Sequence, residues 1–147
     1  MKKYARITGT GSYLPTKVVT NFDLEKTLDT SDEWITARTG IKERRIVTDQ
    51  NTCDLALEAS LNALSMAKLK PEDIDLIILS TTTPDKIFPA TATMLQNRLE
   101  ASCPAFDLQA VCAGFVFALT TAQQYIENGS AKNILVVGSE TMSKIVD

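Results

Sequence analysis

Histidine is missing from the 147 residues of this chain, and its absence limits the chemistry that the side chains can perform. A nucleophilic cysteine or serine commonly depends on an imidazole to take up its proton. No imidazole is present between residues 1 and 147, so a Cys-His mechanism cannot be completed by these residues alone.

Cysteine is scarce, and its spacing is unlike that of a metal site or a disulfide framework. The sequence contains three cysteines without a Cys-x-x-Cys pair, at positions Cys53, Cys103 and Cys112. Zinc sites and disulfide-rich domains need more cysteines at closer, paired spacings. We therefore expect no metal site, and we interpret Cys53 and Cys103 as packing residues.

Neither a long basic run nor a long apolar run occurs. Fifteen Lys and Arg residues stand against eighteen Asp and Glu, a net charge of −3, which argues against nucleic acid as a partner. Every hydrophobic run is too short to span a bilayer, and the basic start leads into a strand-like segment rather than the apolar core of a signal peptide. We expect no membrane association and a cytoplasmic location.

Strand-like and helix-like segments alternate along the chain, which predicts an α/β fold with a largely parallel sheet. The predicted strands cover residues 6–13, 76–79, 105–108 and 134–137. The first predicted helix begins after Asn21, which is taken as its N-cap. The other predicted helices cover residues 32–39, 54–67, 90–99 and 112–127. No linker interrupts this order, so we expect one domain or one half of a larger one.

Two local patterns accompany the predicted helices. Thr30 and Glu33 have the spacing of a capping box ahead of residues 32–39. An apolar stripe marks the helix at residues 54–67, formed by Leu57, Leu61 and Leu64.

Cys112 is the candidate nucleophile, because it lies between a predicted strand and the start of an alanine-rich helix. Unpaired N–H groups and the positive end of the helix dipole favour the thiolate at such a position. The neighbours Ala110, Ala113 and Gly114 are small enough for a substrate to approach the sulfur. The alternative is a small buried core residue, as free cysteines often are.

Seven short blocks of sequence resemble the N-terminal half of β-ketoacyl-acyl-carrier-protein synthase III, a condensing enzyme with a thiolase-like fold. In chain order the blocks are GTGSYLP (9–15), TSDEWI (30–35), RTGI (38–41), FPA (88–90), CPAFD (103–107), CAGF (112–115) and VVGS (136–139). The resemblance implies two similar α/β halves, each with a mixed, largely parallel sheet and helices on both sides. Residues 1–147 would form the half that bears the nucleophile, and the family's catalytic histidine and asparagine would lie in the other half.

The resemblance also implies an activity, in which Cys112 takes an acyl group, expected to be acetyl, from acyl-coenzyme A. Decarboxylative condensation with malonyl-acyl carrier protein would then give 3-oxoacyl-acyl carrier protein, the initiating step of type II fatty acid synthesis. Acyl-coenzyme A is a substrate in this scheme, so no cofactor is expected, and the implied assembly is a homodimer.

Trp34 and Arg38 are four residues apart on a predicted helix, so a flat base could lie between the indole and the guanidinium. From spacing alone, a tryptophan with an arginine packed on it is the favoured interpretation. The resemblance implies that both residues hold the adenine end of coenzyme A, and it implies the same for Thr30.

Phe88 and Thr82 are acyl-pocket candidates from one loop. Phe88 alone would be interpreted as a core residue. The resemblance instead implies that the loop at residues 85–89 crosses a homodimer interface, so that Phe88 lines the partner's acyl pocket, with Thr82 contributing from the same loop.

Two alternatives stay open. A related synthase could use the same cysteine with another acyl primer. The chain could also be a non-catalytic module that dimerises or binds coenzyme A, which the absence of histidine favours for these residues by themselves.

Overall fold

A computed structural model of the chain describes residues 4–146, and these fall into two compact units. The first unit comprises residues 4–13 and 51–141, and the second comprises residues 14–50 and 142–146. In chain order the strands and helices are β1 (Lys17–Thr20), α1 (Asn21–Glu25), α2 (Asp32–Thr39), β2 (Glu43–Ile46), α3 (Thr52–Ala67), β3 (Leu76–Ser80), α4 (Thr91–Arg98), β4 (Ala105–Leu108), α5 (Gly114–Glu127) and β5 (Ile134–Gly138). Short 3₁₀ turns cover Pro71–Asp73, Val111–Ala113 and Met142–Lys144.

The first unit is built on a three-stranded parallel sheet in the order β4-β3-β5. All five residues of the central strand β3 are buried, as an apolar strand covered on both faces should be. One face packs against α3 and α4 through Ile77, Leu79, Leu135 and Val137. The other packs against α5 through Leu76 and Ile78. The prediction of a largely parallel sheet with helices on both sides is confirmed.

The second unit has a two-stranded antiparallel sheet, in which Lys17 pairs with Ile46 and Thr20 with Glu43. Its interior includes a polar side chain, because Asn21 is fully buried. That amide donates hydrogen bonds to Asp32 Oδ1 (2.8 Å), Thr36 Oγ1 (3.3 Å) and the Ile41 carbonyl (2.7 Å). It also accepts one from Arg44 (2.9 Å), so a single side chain ties α1, α2 and β2 together.

The strand predicted at residues 6–13 is wrong, since residues 4–15 form no strand in the structure. Gly9 and Gly11 instead lie against the backbone of α3, where a β-carbon would come within 2.5 Å and 2.2 Å of the carbonyl oxygens of Ala63 and Ala59. Glycine is needed there for close packing on a helix, and the sequence pattern of a strand with two glycines did not distinguish this from sheet pairing.

Three further corrections concern helices. Thr20 caps α1 by accepting from the Asp23 N–H, and Asn21 is the first residue inside the helix. Ser31, not Thr30, caps α2 by accepting from the Trp34 N–H (3.1 Å). On α3 the apolar stripe is only partly buried, because Leu64 is 5% exposed and Leu61 is 44% exposed.

Across residues 4–146, no helix is both long and apolar enough to cross a membrane.

Candidate active site at the carboxyl edge of the sheet

Cys112 lies in the 3₁₀ turn Val111–Ala113, between β4 and α5. The prediction that α5 begins at Cys112 is corrected, because the α-helix begins two residues later, at Gly114. The thiol-bearing residue is exposed to solvent. Val111, directly before it, has a φ of +49°, a left-handed conformation that a β-branched residue adopts only under strain.

Two glycines let the first turn of α5 sit close against the ends of two strands. A β-carbon at Gly114 would lie 2.1 Å from Ser80 Oγ at the end of β3. One at Gly138, the last residue of β5, would lie 3.2 Å from Phe115 Cδ2. These contacts place the turn that carries Cys112 over the carboxyl ends of the central and neighbouring strands.

Ligands of open parallel α/β sheets bind at this same edge, where the loops leave the carboxyl ends of the strands. Cys112 follows β4, Thr82 and Phe88 follow β3, and Glu140 follows β5. The structure thus brings the predicted nucleophile and both predicted pocket residues to loops at one edge of one unit. The roles of Cys112, Thr82 and Phe88 stay predictions.

The other two cysteines lie in the core, as expected of packing residues. Cys53 is 1% exposed and Cys103 is 7% exposed, and burial raises the pKa of both thiols. A buried thiol with a raised pKa is a poor nucleophile. Of the three cysteines, only Cys112 is accessible to a substrate.

Thr82 is held by Glu140, a residue that the sequence analysis missed. The Thr82 N–H and hydroxyl both donate to Glu140 Oε1, each at 2.8 Å. The signal was present, because β3 and β5 pair in parallel with Ser80 opposite Gly138. Residues two positions beyond each of these must then be neighbours at the carboxyl edge.

Phe88 projects from the loop between β3 and α4. Its side chain is 87% exposed and that of Ile87 is 101% exposed, so neither belongs to the core of this chain. Within residues 4–146, the interpretation of Phe88 as a core residue is therefore wrong. Large apolar side chains so fully exposed indicate a surface that another chain or segment covers.

Trp34 and Arg38 lie on α2 in the second unit and contact one another directly. The guanidinium carbon of Arg38 is 4.3 Å from the centroid of the Trp34 ring system, and Trp34 is 53% exposed. A flat base between the two groups would need roughly 7 Å, twice the usual stacking distance. In this conformation the arginine packs on the tryptophan, and a base could stack there only after the Arg38 side chain moves.

Thr30 lies one residue before the cap of α2, and its N–H donates to the Leu28 carbonyl (2.9 Å). Ser31 takes the capping role expected of Thr30, so capping does not account for Thr30. Its role toward coenzyme A stays a prediction, as do those of Trp34 and Arg38.

Comparison with known proteins gives a consistent result over the whole chain. The family described as 3-oxoacyl-(acyl-carrier-protein) synthase III matches residues 106–147. A β-ketoacyl-(acyl-carrier-protein) synthase III from Vesicomyosocius okutanii is 65% identical over 147 residues, which cover 100% of this chain and 47% of that protein.

Solved structures agree with this. The 3-oxoacyl-(acyl-carrier-protein) synthase III of Aquifex aeolicus is 53% identical with a TM-score of 0.93, over 100% of this chain and 47% of that one. A priming β-ketosynthase of a polyketide biosynthetic pathway is 36% identical with a TM-score of 0.95, over 99% of this chain and 44% of that one.

The parallel sheet, its two helical layers and these structural neighbours define a thiolase-like condensing-enzyme fold. Within that class, the chain is similar over its whole length to β-ketoacyl-(acyl-carrier-protein) synthase III proteins. It corresponds to the N-terminal part of those proteins and spans about half the length of the curated relatives it matches.

Proposed function

We propose that this chain is the nucleophile-bearing half of an initiating condensing enzyme of fatty acid synthesis. The observation that carries the proposal is the placement of Cys112, which is solvent-exposed and sits on a strained turn at the carboxyl edge of the sheet, while Cys53 and Cys103 are buried. The 65% identity to a β-ketoacyl-(acyl-carrier-protein) synthase III supports the same activity.

In the proposed first half-reaction, the Cys112 thiolate attacks the thioester carbonyl of an acyl-coenzyme A, with acetyl as the expected acyl group. Backbone N–H groups, including that of Cys112, stabilise the oxyanion of the tetrahedral intermediate. The intermediate collapses by expelling the coenzyme A thiolate, which leaves an acyl thioester on Cys112. Trp34, Arg38 and Thr30 are proposed to bind the adenine end of coenzyme A.

In the proposed second half-reaction, malonyl-acyl carrier protein loses CO₂, and the resulting carbanion attacks the acyl-cysteine carbonyl. The carbon–sulfur bond to Cys112 breaks, 3-oxoacyl-acyl carrier protein is released and the thiol is regenerated. No electrons are exchanged with an external carrier, so we propose that no resident metal or redox cofactor takes part. The cytoplasm is the compartment that we propose for the reaction.

We further propose a homodimer, in which Thr82 and the exposed Phe88 help to line an acyl pocket. The 87% exposure of Phe88 supports a covered position in the assembly. Replacing Phe88 by Asp should convert dimer to monomer in sedimentation experiments on the full-length protein. A Phe88→Asp variant that stays as dimeric as the wild type would contradict this role.

The test of the proposed activity is an intact mass spectrum of the full-length protein before and after acetyl-coenzyme A, with peptide mapping of any adduct. We expect one acetyl group on Cys112 and none in the Cys112→Ala variant. The Cys103→Ala variant is the matched control and should acylate normally. An acetyl group that persists in Cys112→Ala, or a wild type that never acylates, would refute the assignment.

A related synthase with another acyl primer is the second candidate, and the 36% identity to a priming β-ketosynthase of a polyketide pathway favours it. Competing acetyl-coenzyme A against longer and branched acyl esters in the same mass assay separates the two candidates. A non-catalytic coenzyme A-binding module would bind these esters without acylation of Cys112.

A further inference from the structure

Glu140 accepts hydrogen bonds from three consecutive threonines that follow β3. Its Oε1 accepts from the N–H and hydroxyl of Thr82, and its Oε2 accepts from the Thr81 hydroxyl and from the N–H and hydroxyl of Thr83. The five donor–acceptor distances range from 2.5 to 3.4 Å. An exposed glutamate is ordinarily solvated, whereas this one uses both oxygens to hold a loop.

The threonines are fixed from the other side as well. The Thr83 hydroxyl accepts from the Thr141 N–H (2.9 Å), and the Thr52 hydroxyl donates to the Thr83 carbonyl. Desolvation of the Glu140 carboxylate by burial would by itself raise its pKa. Hydrogen bonds from Thr83, Thr82 and Thr81 together have the larger, opposite effect, so the pKa of Glu140 is lowered. The charged form of Glu140 is therefore the form that fits this cluster.

The same loop has a second anchor at its far end. Asp85 accepts from the Cys53 N–H (3.0 Å), and its own N–H donates to Thr91 Oγ1 (3.2 Å). Asp107 then accepts from the N–H groups of Thr91 and Ala92 at the start of α4. Ile87 and Phe88 follow the Asp85 contact and precede Thr91, and both residues are highly exposed.

We propose that Glu140 is a positioning residue for selection of the acyl primer. Through Thr81, Thr82 and Thr83 it fixes the direction in which the loop leaves β3, and so it positions Thr82 and the start of the segment that carries Phe88. This inference rests on the proposed function, in which Thr82 and Phe88 line the acyl pocket. Glu140 touches no reacting atom and acts only through the loop.

The test compares Glu140→Gln with Glu140→Asp in the full-length protein. Glutamine keeps the size of the side chain but presents an amide nitrogen, which cannot accept a hydrogen bond, to one set of threonine donors. Aspartate keeps the charge and both acceptors on a side chain one methylene shorter. Glu58→Gln is the matched control, since Glu58 is exposed on α3.

Two readouts distinguish positioning from a general loss of stability. We expect Glu140→Gln to change the ratio of kcat/KM for acetyl- and hexanoyl-coenzyme A by about fivefold to tenfold, which is the scale of one ordinary hydrogen bond. The kcat/KM ratio of Glu140→Asp should lie between those of Glu140→Gln and the wild type, and the ratio of Glu58→Gln should equal that of the wild type. Hydrogen exchange at the Thr82 and Thr83 amides should accelerate in Glu140→Gln while exchange in α5 stays slow.

A second variant covers the case in which Glu140→Gln does not fold. Thr83→Val removes one donor to Glu140 while keeping the side-chain shape, and it should shift the primer ratio in the same direction. An unchanged ratio together with unchanged exchange at residues 82 and 83, in either variant, would overturn the proposal. A wild type that does not acylate Cys112 would instead refute the proposed function, and the exchange measurement alone would then decide whether Glu140 holds the loop.

Discussion

Gly114 and Ser80 approach so closely that the first residue of α5 has no room for a side chain. A β-carbon on Gly114 would lie 2.1 Å from Ser80 Oγ but 3.4 Å from Ser80 Cβ. The conflict is thus with the hydroxyl alone. The position of the turn that carries Cys112 therefore depends on two small residues, one on a strand and one on a helix.

The Gly114→Ala substitution should destabilise the protein by about 1–3 kcal/mol, the usual cost of overpacking. Removing the conflicting hydroxyl should rescue it, so in a Ser80→Ala background the same change should cost less than about 1 kcal/mol. Urea unfolding of the wild type, both single variants and the double variant gives the coupling. Additive effects of the two substitutions would show that the contact does not limit residue 114.

Alkylation should separate the three thiols. Iodoacetamide added to the native full-length protein should modify Cys112 before Cys53 or Cys103, because the latter two are buried and burial raises their pKa. Peptide mapping of a time course measures this order. In the Cys112→Ala variant, labelling within residues 1–147 should require denaturant. Rapid labelling at Cys53 without denaturant would contradict the structure.

Loss of the aromatic or cationic partner on α2 should weaken binding of coenzyme A. Stacking and cation–π contacts contribute about 0.5–2 kcal/mol, so Trp34→Ala and Arg38→Ala should each weaken binding by roughly 2- to 30-fold. Calorimetric titration of the full-length protein with coenzyme A measures this, and Arg6→Ala, at an exposed arginine in the other unit, is the control. Equal affinities in all three variants would leave the pair with a packing role only.

Asn21→Ala should loosen the second unit. The substitution removes the hydrogen bonds that this fully buried amide makes with Asp32, the Ile41 carbonyl and Arg44, at a cost of about 1–3 kcal/mol. Hydrogen exchange in α2 should become faster, while Asn97→Ala, at an exposed position on α4, should leave it unchanged. If α2 exchanged as slowly in the Asn21→Ala variant as in the wild type, the Asn21 hydrogen-bond network would not be needed to stabilise this unit.

The lowered pKa of Glu140 predicts a loss of stability in acid. A carboxyl whose folded-state pKa lies below its ordinary value of 4.5 stabilises the fold above that value and loses the contribution as pH falls through the folded-state pKa. Urea unfolding at pH values from about 6 down to about 3 should show a shallower fall for Glu140→Gln than for the wild type. Glu58→Gln should follow the wild-type curve, and parallel curves for all three proteins would contradict the assignment.

The sequence predicted those elements whose stability is local or whose burial is complete. The apolar run at Leu76–Leu79 became the central strand, and α2 ended at Gly40 as expected. The identity of each cap was wrong by one residue at Thr20 and at Ser31. In both places two cap-forming residues are adjacent, and only the backbone geometry decides between them.

What the sequence did not predict depends on contacts between distant segments. The β1–β2 pairing and the Asn21 network join residues more than ten positions apart, and their polar residues carry no periodic signal. The anchor at Glu140 was recoverable in principle, since it follows from the parallel register of β3 and β5. The direct contact of Trp34 with Arg38 was one of two interpretations that the spacing allowed.

Val111 holds a conformation that costs about 1–3 kcal/mol for a β-branched residue, and the packing of α5 on the sheet keeps it there. Glycine would adopt that conformation freely, but the turn would then sample many others. At Val111, a more stable fold and a fixed orientation of the Cys112 thiol therefore require different backbone conformations. Selection for a protein that resists unfolding would favour a relaxed residue at position 111, and selection for a firmly oriented thiol would keep the strain.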